Sequence, residues 1–459
     1  MIAHERAKAY NLSLIEAIFS TIHGGITGGM FLVGLLMFLG GGNFEIGMLS
    51  AIPALTSVFS ILSVMIVRRW KSRKKISLWC FLTSRITFGF ILGLVFVRLP
   101  ASPIIMLILV AISSAFGSIN GTVWLSWITG VIPQRVWGRY FSRRSIISSI
   151  SGMAVPLIAG KILDYFKLVG HQASGFALLW GVGLVVTIVS YIILTKIPEN
   201  ELVSTDYKPI VETLVLPLTD KNFLPFLRLG LFFTFFNSFA GPFYVPHMLN
   251  NLGMSFFEIS FYGLIAGLIG LYFRNLWGKL IDRYGNRAIL KSSLWGIFPL
   301  PLLWLFPTPH FYLPIWVDAF LTGIFWTGVD IGLLTLLLSL SQNSERESYY
   351  TFYTLATGLA TFLGSLAGGT VAKATSHFQL NILGKTIVNY HLLFMTSSLS
   401  RLITIQLALR IPEKRRRDVL SPGIFPILHD ELWKLVGNFA RTAKSALFLV
   451  KEKFENHTK

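Results

Sequence analysis

Asp330 stands in the apolar run GIFWTGVDIGLLTLLL (323–338), flanked by Gly328 and Gly332, with Trp326 one helical turn before it. A carboxylate at that depth in a nonpolar segment is expensive, so it marks a place where a proton, a solute or a buried cation is held. Asn120 sits in a similar run and is followed one turn later by Trp124. Glu16 and His23 are seven residues apart, two helical turns on nearly the same face. Imidazole exchanges a proton near neutral pH and a buried carboxyl can be brought to do so, which suits proton coupling. The competing reading is that Glu16 neutralises a helix-end arginine and His23 hydrogen-bonds a neighbouring helix. Arg85 and Arg401 also lie inside apolar runs. Each suits a buried ion pair, and Arg85 additionally suits an anion, which needs a cation in its cavity. Asn237 belongs to FFNSFAGP (235–242), where Gly241-Pro242 can break a helix and expose backbone groups.

These side chains need helices to hold them at bilayer depth. The 459 residues are 53% hydrophobic and 13% charged, with a mean hydropathy of +0.64. A soluble domain carries about 25% charged residues, so the composition indicates a polytopic membrane protein. About twelve runs reach the roughly 20 residues that cross a bilayer. They are expected at 13–39, 45–67, 77–97, 103–128, 145–164, 174–196, 226–249, 256–277, 288–307, 312–338, 350–372 and 391–411. The net charge of +19 does not point to nucleic acid. Its basic residues gather in alternate short links, RRWKSRKK (68–75), PQRVWGRYFSRR (133–144) and GKLIDRYGNR (278–287), whereas GGGN (40–43) and NNLGMS (250–255) carry none. Positive residues stay cytoplasmic, which puts both termini on the cytoplasmic face of a cell membrane. The N-terminus shows no removable signal peptide, and Cys80 as sole cysteine cannot form an intramolecular disulfide. Residues 425–454 space their leucines and phenylalanines as an amphipathic helix lying in the membrane surface, in contact with lipid.

The link 197–225 divides the chain into similar halves. Leu39-Gly40 with Phe44-Glu45-Ile46 recurs as Leu252-Gly253 with Phe257-Glu258-Ile259, and KISLW (75–79) recurs as KSSLW (291–295). Asn120 of the fourth span aligns with Asp330 of the tenth at a nearly constant offset. A duplicated six-helix unit predicts boundaries of 1–196 for a first bundle, 197–225 for a cytoplasmic linker, 226–411 for a second bundle and 412–459 for a tail.

Gly278, Asp282, Arg283, Gly285 and Arg287 are spaced as Gly, three residues, Asp-Arg, one residue, Gly, one residue, Arg. With twelve spans and GRYFSRR after the fourth, the chain resembles the major facilitator superfamily. The resemblance implies an all-helical membrane fold of two pseudo-symmetric six-helix bundles. It also implies that this loop latches one conformation closed on the cytoplasmic side, and that spans 4 and 10 face a central cavity. The first half departs from the pattern, because no acidic residue occurs between Gly47 and Leu163. Span 5 carries GMAVPLIAG (152–160), similar to the family's antiporter motif but with Val155 and Ala159 where glycines are expected.

No His/Cys cluster has metal-ligand spacing, GKT (384–386) lacks the upstream glycine of a phosphate loop, and no acid, base and nucleophile converge. The reading is therefore a non-enzymatic, monomeric secondary transporter without cofactor. It moves a small organic solute by alternating access and draws on protons through Asp330, His23 and Glu16. The cavity candidates are His23, Asn120, Trp124, Asn237, Trp326 and Asp330. A receptor or lipid-handling protein on the same scaffold, and an uncoupled facilitator, remain alternatives.

Overall fold

A computed structural model describes residues 3–97, 99–200, 216–341, 346–382 and 385–411. The amphipathic tail and most of the central link lie outside the described residues. Eleven helices are long and apolar enough to cross a membrane. In the first half they are α1 (Ala7–Phe38), α2 (Asn43–Ile61), α3 (Arg73–Val97), α4 (Ser102–Val131), α5 (Gln134–Leu168) and α6 (Gln172–Thr195). In the second they are α7 (Leu224–Asn251), α8 (Phe256–Tyr284), α10 (Leu313–Leu340), α11 (Ser348–Ala374) and α12 (Asn389–Leu409). The ninth expected span, α9, is two pieces, Asn286–Ile297 and Leu300–Leu303. Pro299 and Pro301 interrupt it because neither offers the N–H that a continuous helix requires. A short hairpin, Gln379–Ile382 paired with Lys385–Val388, lies between α11 and α12. Apart from that hairpin, the result is a helical membrane fold with two pseudo-symmetric six-helix bundles.

The sequence repeat has a local cause. Glu45 reaches back to the backbone N–H of Gly42 at 3.0 Å, and Glu258 to that of Ser255 at 2.8 Å. Each glutamate occupies the third position of its helix and satisfies a donor that the first turn leaves open. The duplicated Phe-Glu-Ile is thus the capped start of α2 and of α8. A second pair follows the same offset of 213 residues. Gly28 is extended and Gly29 takes φ +52°, breaking α1, while α7 passes through a 3-10 turn at Gly241–Phe243 and a π turn at His247–Asn251. Gly29 needs its glycine, since an L side chain rarely adopts that φ.

The apolar core shows how the halves meet. One cluster is shared between them, joining Leu35, Phe176 and Trp180 of the first half to Phe243, Phe256 and Tyr390 of the second. It lies at the weakly charged end, where the links 40–43 and 250–255 run. Toward the basic links the core divides. Trp127, Tyr140 and Leu194 pack within the first half, and Phe226, Leu336 and Ile405 within the second. The hydrogen bonds recorded between the halves follow the same division. Asn43 donates to the Ala372 carbonyl at 3.0 Å and accepts from the Tyr390 hydroxyl at 2.6 Å. Asp164 on α5 accepts from the backbone N–H groups of Phe256 and Phe257, both at 2.8 Å. Bare backbone lets the helices come this close. A Cβ on Gly47 would lie 2.7 Å from the Ser365 carbonyl oxygen, and one on Gly160 2.8 Å from the Phe257 nitrogen.

Candidate functional site

Five helices of the first half surround a cavity of about 240 Å³. α1 supplies Glu16 and Ser20, α3 supplies Arg85, α4 supplies Asn120 and Trp124, and α5 supplies Arg144. Glu16 is 3% exposed and forms an ion pair with Arg144 at 2.9 Å. Its other oxygen accepts from Ser190 at 3.3 Å. Arg144 also donates to the Ser13 carbonyl at 2.5 Å and lies 4.3 Å from the Trp124 ring centre. Trp124 is therefore the flat surface on which that guanidinium rests. Ser77 donates to Asn120 Oδ1 at 2.7 Å, which turns the amide NH2 away from that bond.

Arg85 projects into the same cavity. It reaches Ser20 Oγ at 3.4 Å and stacks over Phe81 at 5.4 Å. The buried ion pair expected at Arg85 forms instead at Arg144, which the sequence places only in a basic loop. α5 begins before the apolar run does, and its first turns carry Arg144 inward beside α1. His23, 2% exposed, lies one turn beyond Ser20. Its Nδ1 is 2.8 Å from Thr27 Oγ1, its ring meets Phe88 edge-on, and its Nε2 is buried without a hydrogen-bond partner among the described residues.

The second half holds a different polar cluster, around Asp318, which the sequence reading passed over. Asp318 is 2% exposed and accepts from the Tyr262 hydroxyl at 2.7 Å. Nearby, Arg401 donates to the Ile297 carbonyl and stacks over Trp326 at 5.4 Å. Among the described residues no carboxylate lies within ion-pair distance of Arg401. Asp318 carries the signal that singled out Asp330, an acid inside a span, but PIWVDAF (314–320) lies close enough to the span's start to pass for a helix end. Asp330 is exposed and shares the α8–α10 contact with Arg274. Asn237 is half-buried beside the break in α7, where its carbonyl accepts from the Gly241 N–H. The sequence candidates therefore divide. Glu16, Asn120 and Trp124 line one cavity, His23 adjoins it, and Asn237, Trp326 and Asp330 lie in the other half.

The motif residues sit at the basic end. Gly285 takes φ +89° and turns α8 into α9. Arg287 donates to the Leu409 carbonyl at the end of α12, Arg283 lies 5.3 Å from the Tyr284 ring, and Asp282 is exposed. Gly278 lies within the last turns of α8. In the first half the missing acid arrives from the central link. Glu199 accepts from Ser72 Oγ at 2.7 Å and from the Lys74 N–H at 3.0 Å, capping α3 beneath the basic hexad.

Two helical bundles packed together at one end, the first enclosing a polar cavity, have the architecture of a membrane transporter. The sequence comparison identifies which kind: the family model for the Major Facilitator Superfamily matches residues 13–365 and 276–423, and the chain belongs to that family. Among curated proteins it is 24% identical over 225 residues to the "Probable sugar efflux transporter" of Helicobacter acinonychis (strain Sheeba), covering 48% of this chain and 54% of that protein. The match thus spans about half the length of that relative. It is 28% identical over 141 residues to the "Uncharacterized MFS-type transporter YitZ" of Bacillus subtilis (strain 168), covering 30% of this chain and 82% of that one. The nucleoside transporter NupG superposes with a TM-score of 0.63 at 14% identity, over 90% of this chain and all of that one. The D-xylose-proton symporter superposes with a TM-score of 0.65 at 13% identity, over 90% and 98%.

Proposed function

We propose that this chain is a secondary transporter of a small polar organic solute, working by alternating access in a cell membrane with both termini in the cytoplasm. The units that rock are the bundles 1–196 and 226–411, joined by the link 197–225, and the working unit is a monomer. The observation that carries the reading is the division of the core, one apolar cluster bridging the halves at the weakly charged end and separate clusters toward the basic end. Basic links face the cytoplasm, so this conformation is closed to the outside and open inward. Asp282, Arg283 and Arg287 belong to the latch that forms when the basic end closes. Sugars and nucleosides, the cargo in the names of several relatives, are of the solute class that a polar cavity of this size accepts.

The transport step is coupled to protons. Asp318 is the acid best placed for it, because burial and the Tyr262 hydroxyl define one protonatable site within a membrane-spanning segment. His23 and Asp330 remain candidates in their own halves, while Glu16 is engaged by Arg144. Spin labels at Lys71 and Lys279 on the basic end, and at Leu168 and Phe311 on the other, test the motion in a variant lacking Cys80. Alternating access requires two distance populations at each end, changing in opposite directions. A single fixed distance at both ends refutes it. With a transported solute in hand, Asp318→Asn is expected to abolish uptake driven by a pH gradient while leaving exchange intact. Gradient-driven uptake at the wild-type rate would remove Asp318 from the mechanism.

A further inference from the structure

The first-half cavity contains two guanidinium groups and one carboxylate. Both oxygens of that carboxylate are engaged, one by Arg144 at 2.9 Å and the other by Ser190 at 3.3 Å. Arg85 is left with the Ser20 hydroxyl at 3.4 Å and the face of Phe81, and no carboxylate of the described residues stands within ion-pair distance. Of the other polar groups facing the space, none carries a negative charge, and the Asn120 amide offers donors. Asn120 has its carbonyl oxygen occupied by Ser77, which leaves its two N–H groups to act. Ser84 donates its hydroxyl hydrogen to the Ser113 carbonyl at 2.9 Å, which leaves its oxygen as a neutral acceptor without charge to balance the guanidinium groups.

Glu16 attracts Arg85 from beyond ion-pair distance but is bonded to Arg144, so two cations share one carboxylate, and an excess cation within the bilayer either pairs or serves a pathway. A site with two guanidinium groups, one carboxylate and an amide NH2 carries an excess positive charge and is complementary to oxygen atoms bearing negative charge. The planar guanidinium of Arg85 matches a carboxylate or phosphate with two parallel hydrogen bonds. The Phe81 ring, 5.4 Å from the Arg85 guanidinium carbon, helps to position that fork, while Arg144 is held by Glu16 and Ser13. The 240 Å³ available is about eight times a water's share of liquid volume, enough for a small metabolite or the charged head of a larger one.

We infer that this cavity is an oxyanion site, with Arg85 as the principal ligand and the Asn120 amide as a second donor, and that the solute carries a carboxylate or phosphate. The inference rests on the transporter reading for its physiological sense, but binding can be measured without transport.

The test uses purified full-length protein and matched probes, benzoate against benzamide and glycerol 3-phosphate against glycerol. At least one anion is expected to raise the melting temperature of the wild type by about 2 °C or more at saturating concentration, and its neutral counterpart to raise it by less than a quarter of that. Which anion acts distinguishes carboxylate from phosphate. In Arg85→Gln the apparent affinity is expected to fall at least tenfold, with a smaller fall in Arg85→Lys, which keeps the charge and loses the fork. Asn120→Leu removes the amide donors without altering any charge and should also weaken the anion, so the proposal remains testable if Arg85→Gln does not fold. Without ligand, Arg85→Gln should melt at or above the wild-type temperature, because a buried cation in excess of the cavity's one carboxylate has been removed. Failure of both anions to bind, equal binding of the neutral partners, or full affinity in Arg85→Gln would each overturn the assignment. Anion binding without uptake into proteoliposomes would keep the site and discard the transporter reading. Uptake of a neutral probe, unaffected by Arg85→Gln, would do the reverse.

Discussion

Replacing Asp164 by alanine should open the weakly charged end of the molecule. In this conformation its two oxygens accept from the first N–H groups of α8, Phe256 and Phe257, each at 2.8 Å. The next donor, the Glu258 N–H, is met by Ser255 of the same helix at 3.1 Å. Two of the donors that open the helix are therefore satisfied from across the interface, by a negative charge placed at the positive end of the helix dipole. Hydrogen bonds to a charged group contribute about 1.5–3 kcal/mol, and a charge at a helix terminus about 0.3–1 kcal/mol. Opening exposes the same groups to water, which recovers part of this. A net loss of about 1.5–3 kcal/mol on truncation corresponds to a change of roughly tenfold to a hundredfold in the ratio of closed to open states. Asp164→Asn keeps one acceptor and should fall between alanine and the wild type. Pulsed electron resonance between labels at Leu168 and Phe311 reports the populations directly. If Asp164→Ala leaves the closed fraction within twofold of the wild type, the carboxylate does not hold this end shut, and the contact is a by-product of packing set by Gly160.

Two further substitutions follow from the same structure. Glu16→Gln strands Arg144 and Arg85 without any carboxylate in their cavity, and should lower stability by about 2–4 kcal/mol, toward the lower part of the range for broken buried pairs because Arg144 is 18% exposed. Thermal unfolding measures this, and the double variant Glu16→Gln, Arg144→Gln should recover part of the loss. Glu199→Gln weakens the cap on α3 by about 1 kcal/mol. Hydrogen exchange at residues 74–77 should quicken several-fold, and an unchanged rate would mean that Ser72, whose hydroxyl oxygen accepts from the Lys75 N–H of the same turn at 3.2 Å, caps the helix unaided.

Much of the architecture is legible in the sequence because a bilayer leaves the backbone few options. An apolar run of that length must be helical, as every N–H and C=O has to be satisfied within the segment. Residues 13–39 and 174–196 therefore read correctly as spans, and the offset of 213 residues shows up as a repeat because Glu45 and Glu258 do the same local work. Local signals also located the breaks at Gly241-Pro242. They did not reveal that α9 would be divided, although Pro299 and Pro301 were visible, because neighbours decide whether a proline kinks a helix or ends it.

Pairing across the fold was out of reach from composition and spacing. Glu16 finds Arg144, 128 residues away, and the acid missing from the first basic loop comes from Glu199 in the central link. Asp164 finds the start of α8 in the other half. Charges interact through space and steeply with distance, so a partner is fixed only when helices dock. The sequence by itself determined that the chain crosses a membrane many times as helices and carries a repeated pattern. The tertiary structure decided which ionisable groups pair, and so left Arg85 in the first half and Arg401 in the second without a carboxylate at ion-pair distance among the described residues.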